Sequence, residues 1–199
     1  MITGIVLAAG LSKRMGEPKQ SLLLAGKTIL DWSTDAFLSS SVDDIIVIVN
    51  GSSPRKHETS RRLRYVVNPN PSLGISSSLK LGIRSVRSGR DAVVVGLGDK
   101  PLVLPGTINA LVDAYRRTKA KIIVPIYEGK RGNPVLFQKS MFRSILELSG
   151  DVGAREVISS HEDVVSEVPV GDRGILLDID TPSDVSTARA FLTSRDGSR

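Results

Sequence analysis

The chain contains no cysteine. A disulfide framework, a thiolate nucleophile and a cysteine-ligated metal or iron–sulfur site are all excluded, so any metal must be held by oxygen. Histidine is scarce as well. His57 and His161 are the two present, and neither has a serine or cysteine at a recognisable triad spacing. Aromatic residues make up 4% of the chain, and none alternates with the densest basic run, Arg55-Lys56-His57 with Arg61-Arg62 and Arg64. A platform for single-stranded nucleic acid needs that alternation, so the run reads as a solvated helix face and no nucleic-acid partner is expected. No window approaches the ~18 to 20 continuous apolar residues of a membrane span, and the N-terminus lacks the basic region of a signal peptide. The expected location is cytoplasmic, without a membrane partner.

The 199 residues, 40% of them hydrophobic, suffice for one well-packed domain, expected over residues 1–193 and followed by a polar tail at 194–199. The net charge of +6 favours anionic partners without saying which. Short apolar runs punctuate the chain: Gly4 to Leu7, Asp44 to Val49, Ala92 to Leu97 and Ile122 to Pro125. Unbroken β-branched runs of this kind are typical of parallel strands buried on both faces. Segments of helical periodicity separate them, with Thr28 as the cap of the first, Ser76 opening a second and Pro105 leading a third. Met141 to Leu146 mark a later helix, Val164 to Val168 and Ile175 to Leu177 read as late strands, and Thr181-Pro182-Ser183-Asp184 is a helix start. The alternation predicts an α/β fold with a parallel sheet covered by helices.

The stretch from Leu7 to Gln20, LAAGLSKRMGEPKQ, follows the first run. Ala8, Ala9 and Gly10 let backbone approach a ligand closely, and Lys13, Arg14 and Lys19 add mobile positive charge. That combination suits a polyphosphate, although the stretch has neither the P-loop nor the dinucleotide-binding spacing. Two acids follow apolar runs, where open α/β sheets bind ligands. They are Asp99 in Gly98-Asp99-Lys100-Pro101 and Asp180 in Asp178-Ile179-Asp180-Thr181-Pro182. Either alone reads more readily as a turn former or helix cap. Together with the cationic loop they read as a Mg²⁺ site, since Mg²⁺ needs only one or two carboxylates plus substrate phosphates.

LAAGxSxRMGxxK resembles the signature loop of the nucleotidyltransferases with a Rossmann-like fold, most closely the molybdenum-cofactor branch, whose members join a nucleoside monophosphate to molybdopterin. GDKP is similar to that family's metal-binding segment, with Lys100 where uncharged residues are more usual, and DIDTP resembles its late motif. The resemblance implies a three-layer, GT-A-like fold with a mostly parallel central sheet. It implies nucleotide contacts from Leu7, Ala8, Ala9, Gly10, Ser12, Arg14, Lys19, Asn68, Gly74, Ser77 and Ser78. Asp99 and Asp180 would hold Mg²⁺, with Asp178 behind them, and Arg14 and Lys19 would stabilise charge in catalysis. Lys100, Arg131, Gly132, Asn133, Pro134 and Arg155 fall on the acceptor side.

The implied substrates are CTP and molybdopterin, with transient docking to a molybdoenzyme as the product's destination. The CTP preference follows the cytidylyl branch, because the guanylyl branch has a further glycine in place of Ala9. Three alternatives stay open: GTP as donor, another phosphorylated acceptor such as a methylerythritol phosphate or a sugar phosphate, and a non-catalytic molybdopterin chaperone.

Overall fold

The computed structural model describes residues 1–10, 19–53 and 59–196. In chain order, β1 (Ile2–Ala8) leads to a small hairpin, β2 (Leu23–Leu24) and β3 (Lys27–Thr28), and to α1 (Ile29–Leu38). Then come β4 (Asp44–Val49), β5 (Leu63–Val67), α2 (Ile75–Arg84), β6 (Ala92–Leu97) and α3 (Pro105–Thr118). The last part contains β7 (Ile122–Tyr127), β8 (Lys130–Arg131), β9 (Val135–Gln138), α4 (Phe142–Glu147), α5 (Ala154–Ser159), β10 (Val165–Pro169) and α6 (Pro182–Asp196).

The main sheet runs β10-β7-β9-β6-β1-β4-β5, with β8 appended to β7. Its pairings are parallel except where β9 meets β6 and β7 and where β8 meets β7. From β1 the chain moves outward through β4 to β5, then returns to place β6 on the other side of β1. This reversal opens a crevice beyond the carboxyl ends of β1 and β6, the ordinary ligand position in such a sheet.

The apolar runs serve two cores at once because successive strand side chains point to opposite faces. Ile45, Val47 and Val49 of β4 join Leu30 and Phe37 of α1 and Leu111 of α3, whereas Ile46 and Ile48 join Leu79 and Ile83 of α2. Burial of each such side chain contributes about 1.5–3 kcal/mol, which is why the runs remain apolar on both faces. Two sheet glycines make room for Phe37: a Cβ on Gly4 would lie 2.6 Å from its Cδ1, and one on Gly96 would lie 2.7 Å from its Cε2 and Cζ. Gly96→Ala is therefore expected to overpack this core and cost about 1–3 kcal/mol. Denaturant unfolding checks this, and a variant as stable as the parent would show that Phe37 can move aside without cost.

Thr28 caps α1 as its sequence position predicts. Its side chain accepts from Asp31 N at 3.1 Å, and the Asp31 carboxylate accepts from Thr28 N at 3.2 Å, completing a capping box. Two expectations change. Ile175 and Leu176 belong to a 3₁₀ turn (Arg173–Leu176) with Leu177 as its C-cap, not to a strand. The buried Asp172 carboxylate accepts from Gly174 N at 2.9 Å and winds this turn, while the Ile175 carbonyl is taken by Lys100 Nζ and Asn133 N. The basic run is also no solvated helix face where it is described. Arg64 lies in β5, and the guanidinium groups of Arg62 and Arg64 donate to the carbonyls of Ser40 and Ser85. Arg55, Lys56 and His57 lie outside the described residues. Helix α6 continues to Asp196, overlapping the start of the polar tail. No helix among the described residues is long and apolar enough to cross a membrane.

Candidate active site

A cleft of about 1110 Å³ opens at the crevice between β1 and β6. Ligand pockets commonly hold roughly 300–1,000 Å³, so this one has room for a nucleotide and part of a second substrate. Leu7, Ala9 and Gly10 line it, while Ala8, on the alternate face of β1, packs beneath. A Cβ on Gly98 would lie 2.7 Å from the Ala8 Cβ, and Gly98 N donates to Leu7 O at 2.8 Å, so the two strand ends are fastened together. Asn50 Nδ2 donates to Gly10 O at 3.2 Å and holds the rim from the β4 side.

The opposite wall is the start of α2. Gly74, at φ +87°, turns the chain into this helix, and a Cβ there would strike Gly150 O at 2.5 Å. Ser76 Oγ donates to Gly150 O at 2.7 Å and Ile75 N to Asp151 Oδ1 at 3.3 Å, so the Gly150–Asp151 turn closes over the helix N-terminus. Gly74, Ser77 and Ser78 line the cleft. Asn68 does not. It is buried behind them, with Nδ2 donating to Ser77 Oγ at 2.8 Å and Ser78 Oγ at 3.0 Å, and orients both hydroxyls.

At the floor, Asp99 and Asp180 converge on one cation. Lys19 Nζ donates to Asp99 Oδ2 at 2.6 Å and to Asp180 Oδ1 at 2.9 Å, and all three residues line the cleft. Burial lowers the Lys19 pKa more than any other single influence. The attraction and hydrogen bonding of Asp99, then of Asp180, outweigh it together and hold the pKa above the lysine value of 10.5. Among the described residues Asp99 Oδ1 is buried with no hydrogen-bond partner, an expensive condition for a carboxylate oxygen. An orphaned acceptor beside a second carboxylate fits a divalent cation. No group of three or more histidine, aspartate or glutamate side chains suited to a metal occurs among the described residues. Asp180 is fixed from behind: the Asp184 carboxylate accepts from Asp180 N at 3.0 Å and Thr181 N at 2.7 Å, and the bonds from Asp180 and Thr181 hold the pKa of Asp184 below the usual carboxylate range.

Residues 4–164 match the model of the MobA-like NTP transferase domain. The chain belongs to this family of nucleotidyltransferases. It is 31% identical to the purine catabolism protein PucB of Bacillus subtilis (strain 168), across 96% of this chain and 98% of PucB. It is 27% identical to the molybdenum cofactor cytidylyltransferase of Escherichia coli (strain K12), across 95% and 96%. Among solved structures it resembles Rv0371c of Mycobacterium tuberculosis H37Rv, with a TM-score of 0.83 and 30% identity over 95% of this chain and 97% of that one. A manganese complex of Rv0371c aligns with a TM-score of 0.76 and 28% identity over the same shares.

In this MobA-like transferase the residues expected on the acceptor side are not gathered at the cleft. Arg131 donates to Glu162 at 2.7 Å and Glu167 at 2.7 Å on the outer surface. The Glu162 and Glu167 carboxylates push its pKa upward, and Arg131 in turn lowers that of Glu162. Lys100 is buried, donating to Ile175 O at 3.1 Å and paired with Asp178, which makes it an internal cation in place of the acceptor contact expected for it. Gly132 packs against Ile175, and Asn133 and Pro134 border a cavity of only about 10 Å³ beneath the cleft. Arg155 is exposed on α5 and does not line the cleft. Ser12 and Arg14 lie outside the described residues. Lys80 and Asp151 are among the cleft residues that sequence reasoning missed. Lys80 follows Ser76 by four positions and so shares its helix face, a spacing visible in sequence. Asp151 had no such signal, since only tertiary docking brings it to α2.

Proposed function

We propose that the chain is a divalent-metal-dependent cytidylyltransferase that joins CMP from CTP to the terminal phosphate of molybdopterin and releases pyrophosphate. The observation that carries this reading is the convergence of Asp99 and Asp180 on a single cation at the cleft floor, with 2.6 and 2.9 Å contacts to Lys19. The acceptor assignment draws on the likeness to the E. coli molybdenum cofactor cytidylyltransferase.

The acceptor phosphate is already anionic near neutral pH, so no strong general base is required. This suits a site without histidine or cysteine. Asp99 and Asp180 would hold Mg²⁺, which supplies charge stabilisation at phosphoryl oxygens. The Leu7–Gly10 rim admits the triphosphate backbone-close, and the hydroxyls of Ser77 and Ser78, set by Asn68, address the nucleoside. Lys19 stabilises negative charge as the bridge between α- and β-phosphorus breaks, and the cleft walls keep the acceptor in line with the α-phosphorus.

Turnover of a nucleotide panel with purified molybdopterin, read as pyrophosphate, tests the assignment. CTP is expected to be preferred over GTP. Ala9→Gly should relax the preference without reversing it, because one methyl contact is worth only ~1 to 3 kcal/mol. A wild-type enzyme that runs faster with GTP contradicts the choice of donor, and turnover with a methylerythritol phosphate or sugar phosphate but not molybdopterin contradicts the acceptor.

A further inference from the structure

We propose that Lys100 and Asp178 form an internal strut that sets the separation of the two metal-holding carboxylates, an inference that rests on the metal reading above. Lys100 is one residue beyond Asp99, and Asp178 is two residues before Asp180, so a single ion pair joins the short segments carrying the two acids. The Lys100 side chain is only 5% exposed, and its ammonium makes a further bond to Ile175 O at 3.1 Å. Beside it, Ile179 N donates to Asp99 O at 3.0 Å, a second tie between the same segments. The buried ammonium has a large desolvation cost unless a carboxylate stays beside it, so separating the segments is opposed from within the protein. Asp180 is gripped on its other flank by Asp184.

Lys100 does not line the cleft, whereas Asp99 and Asp180 do. It is thus a positioning residue. Oxygen ligands of Mg²⁺ sit at roughly 2.0–2.1 Å in a demanding geometry, so a shift of a few tenths of an ångström between the carboxylates is enough to weaken the site.

Charge and position predict opposite signs for one substitution, which makes the strut testable with Mn²⁺ alone. Losing a cation next to two carboxylates should tighten Mn²⁺ binding if Lys100 acts through its field. If it acts as a strut, Lys100→Met should weaken Mn²⁺ binding by ~10-fold, the lower end of what outer-shell partners of metal ligands contribute. Asp178→Glu keeps the charge, lengthens the reach by one methylene at a half-exposed position, and should also weaken it. Water-proton relaxation on the full chain gives the affinities, with Asp99→Asn as control and thermal unfolding to certify each fold. Unchanged or tighter binding in Lys100→Met overturns the strut, and should that variant fail to fold, unchanged binding in Asp178→Glu overturns it equally. If wild type and Asp99→Asn do not differ in Mn²⁺ binding, the metal reading falls and the strut with it. Loss in Asp99→Asn alone rejects the strut and leaves the metal reading standing.

Discussion

Asp99→Asn is expected to lower turnover by ~100-fold or more while the protein stays folded, because losing one charge stabiliser at a transferring phosphoryl group typically costs roughly 3 kcal/mol. The two oxygens of Asp99 have different surroundings. Oδ2 accepts from Lys19 at 2.6 Å, whereas Oδ1 is buried without a partner among the described residues. The amide keeps the shape but removes the charge and places a donor where a cation is to be held. Asp180→Asn should act in the same direction, and its more exposed carboxylate makes loss of fold less of a concern there. Steady-state rates at ordinary Mg²⁺, with circular dichroism on each variant, decide the matter. Near-normal rates in both would sink the assignment of these acids.

The fold was legible where sequence pattern and burial have one solution. The β-branched runs at β1, β4, β6 and β7 lie in a sheet covered on both faces, and Thr28 and Thr181 stand at helix starts because a hydroxyl there satisfies otherwise unpaired N–H groups. Legibility failed where a tertiary partner decides. Ile175 to Leu177 look like a strand in isolation, but Asp172 winds them into a turn whose carbonyl feeds Lys100 and Asn133. Likewise β9, only four residues long, pairs antiparallel between β6 and β7, a position that no local periodicity specifies.

The site shows the same division. Asp99 and the small residues of the rim follow directly from strand ends, Lys19 and Asp180 were read from the loop and the late motif, and the cleft brings them together. Arg131 did not, because a guanidinium goes to whichever carboxylate tertiary structure offers, and the turn before β10 and β10 itself offer it Glu162 and Glu167. Lys100 was misassigned for a related reason: its partner Asp178 is far away in sequence, and a lysine in a glycine-proline turn reads as a surface cation until that partner is seen.

Lys19→Ala is expected to lower kcat by ~100-fold or more, since the ammonium is placed to stabilise charge that is redistributed only as the bond to pyrophosphate breaks. Its pKa is held above 10.5, so it is charged throughout neutral pH. The stability contributed by its ion pairs is fully present below that value and is lost only as pH rises through the raised folded pKa, so a pH dependence of rate near neutrality arises elsewhere. In wild type the same ammonium already neutralises part of Asp99 and Asp180. Its removal should tighten Mn²⁺ binding to the free enzyme even as kcat collapses, the opposite of the weakening expected for Lys100→Met. A carrier that merely binds molybdopterin would use the charge for ground-state attraction, and excess ligand should then rescue the variant. A single-turnover assay at saturating Mg²⁺, CTP and molybdopterin, followed by mass analysis for a cytidylyl-linked product, separates the two. Wild-type protein that binds both ligands without forming that product, with delivery to a molybdoenzyme unaffected by Lys19→Ala, would reject the transferase in favour of the carrier.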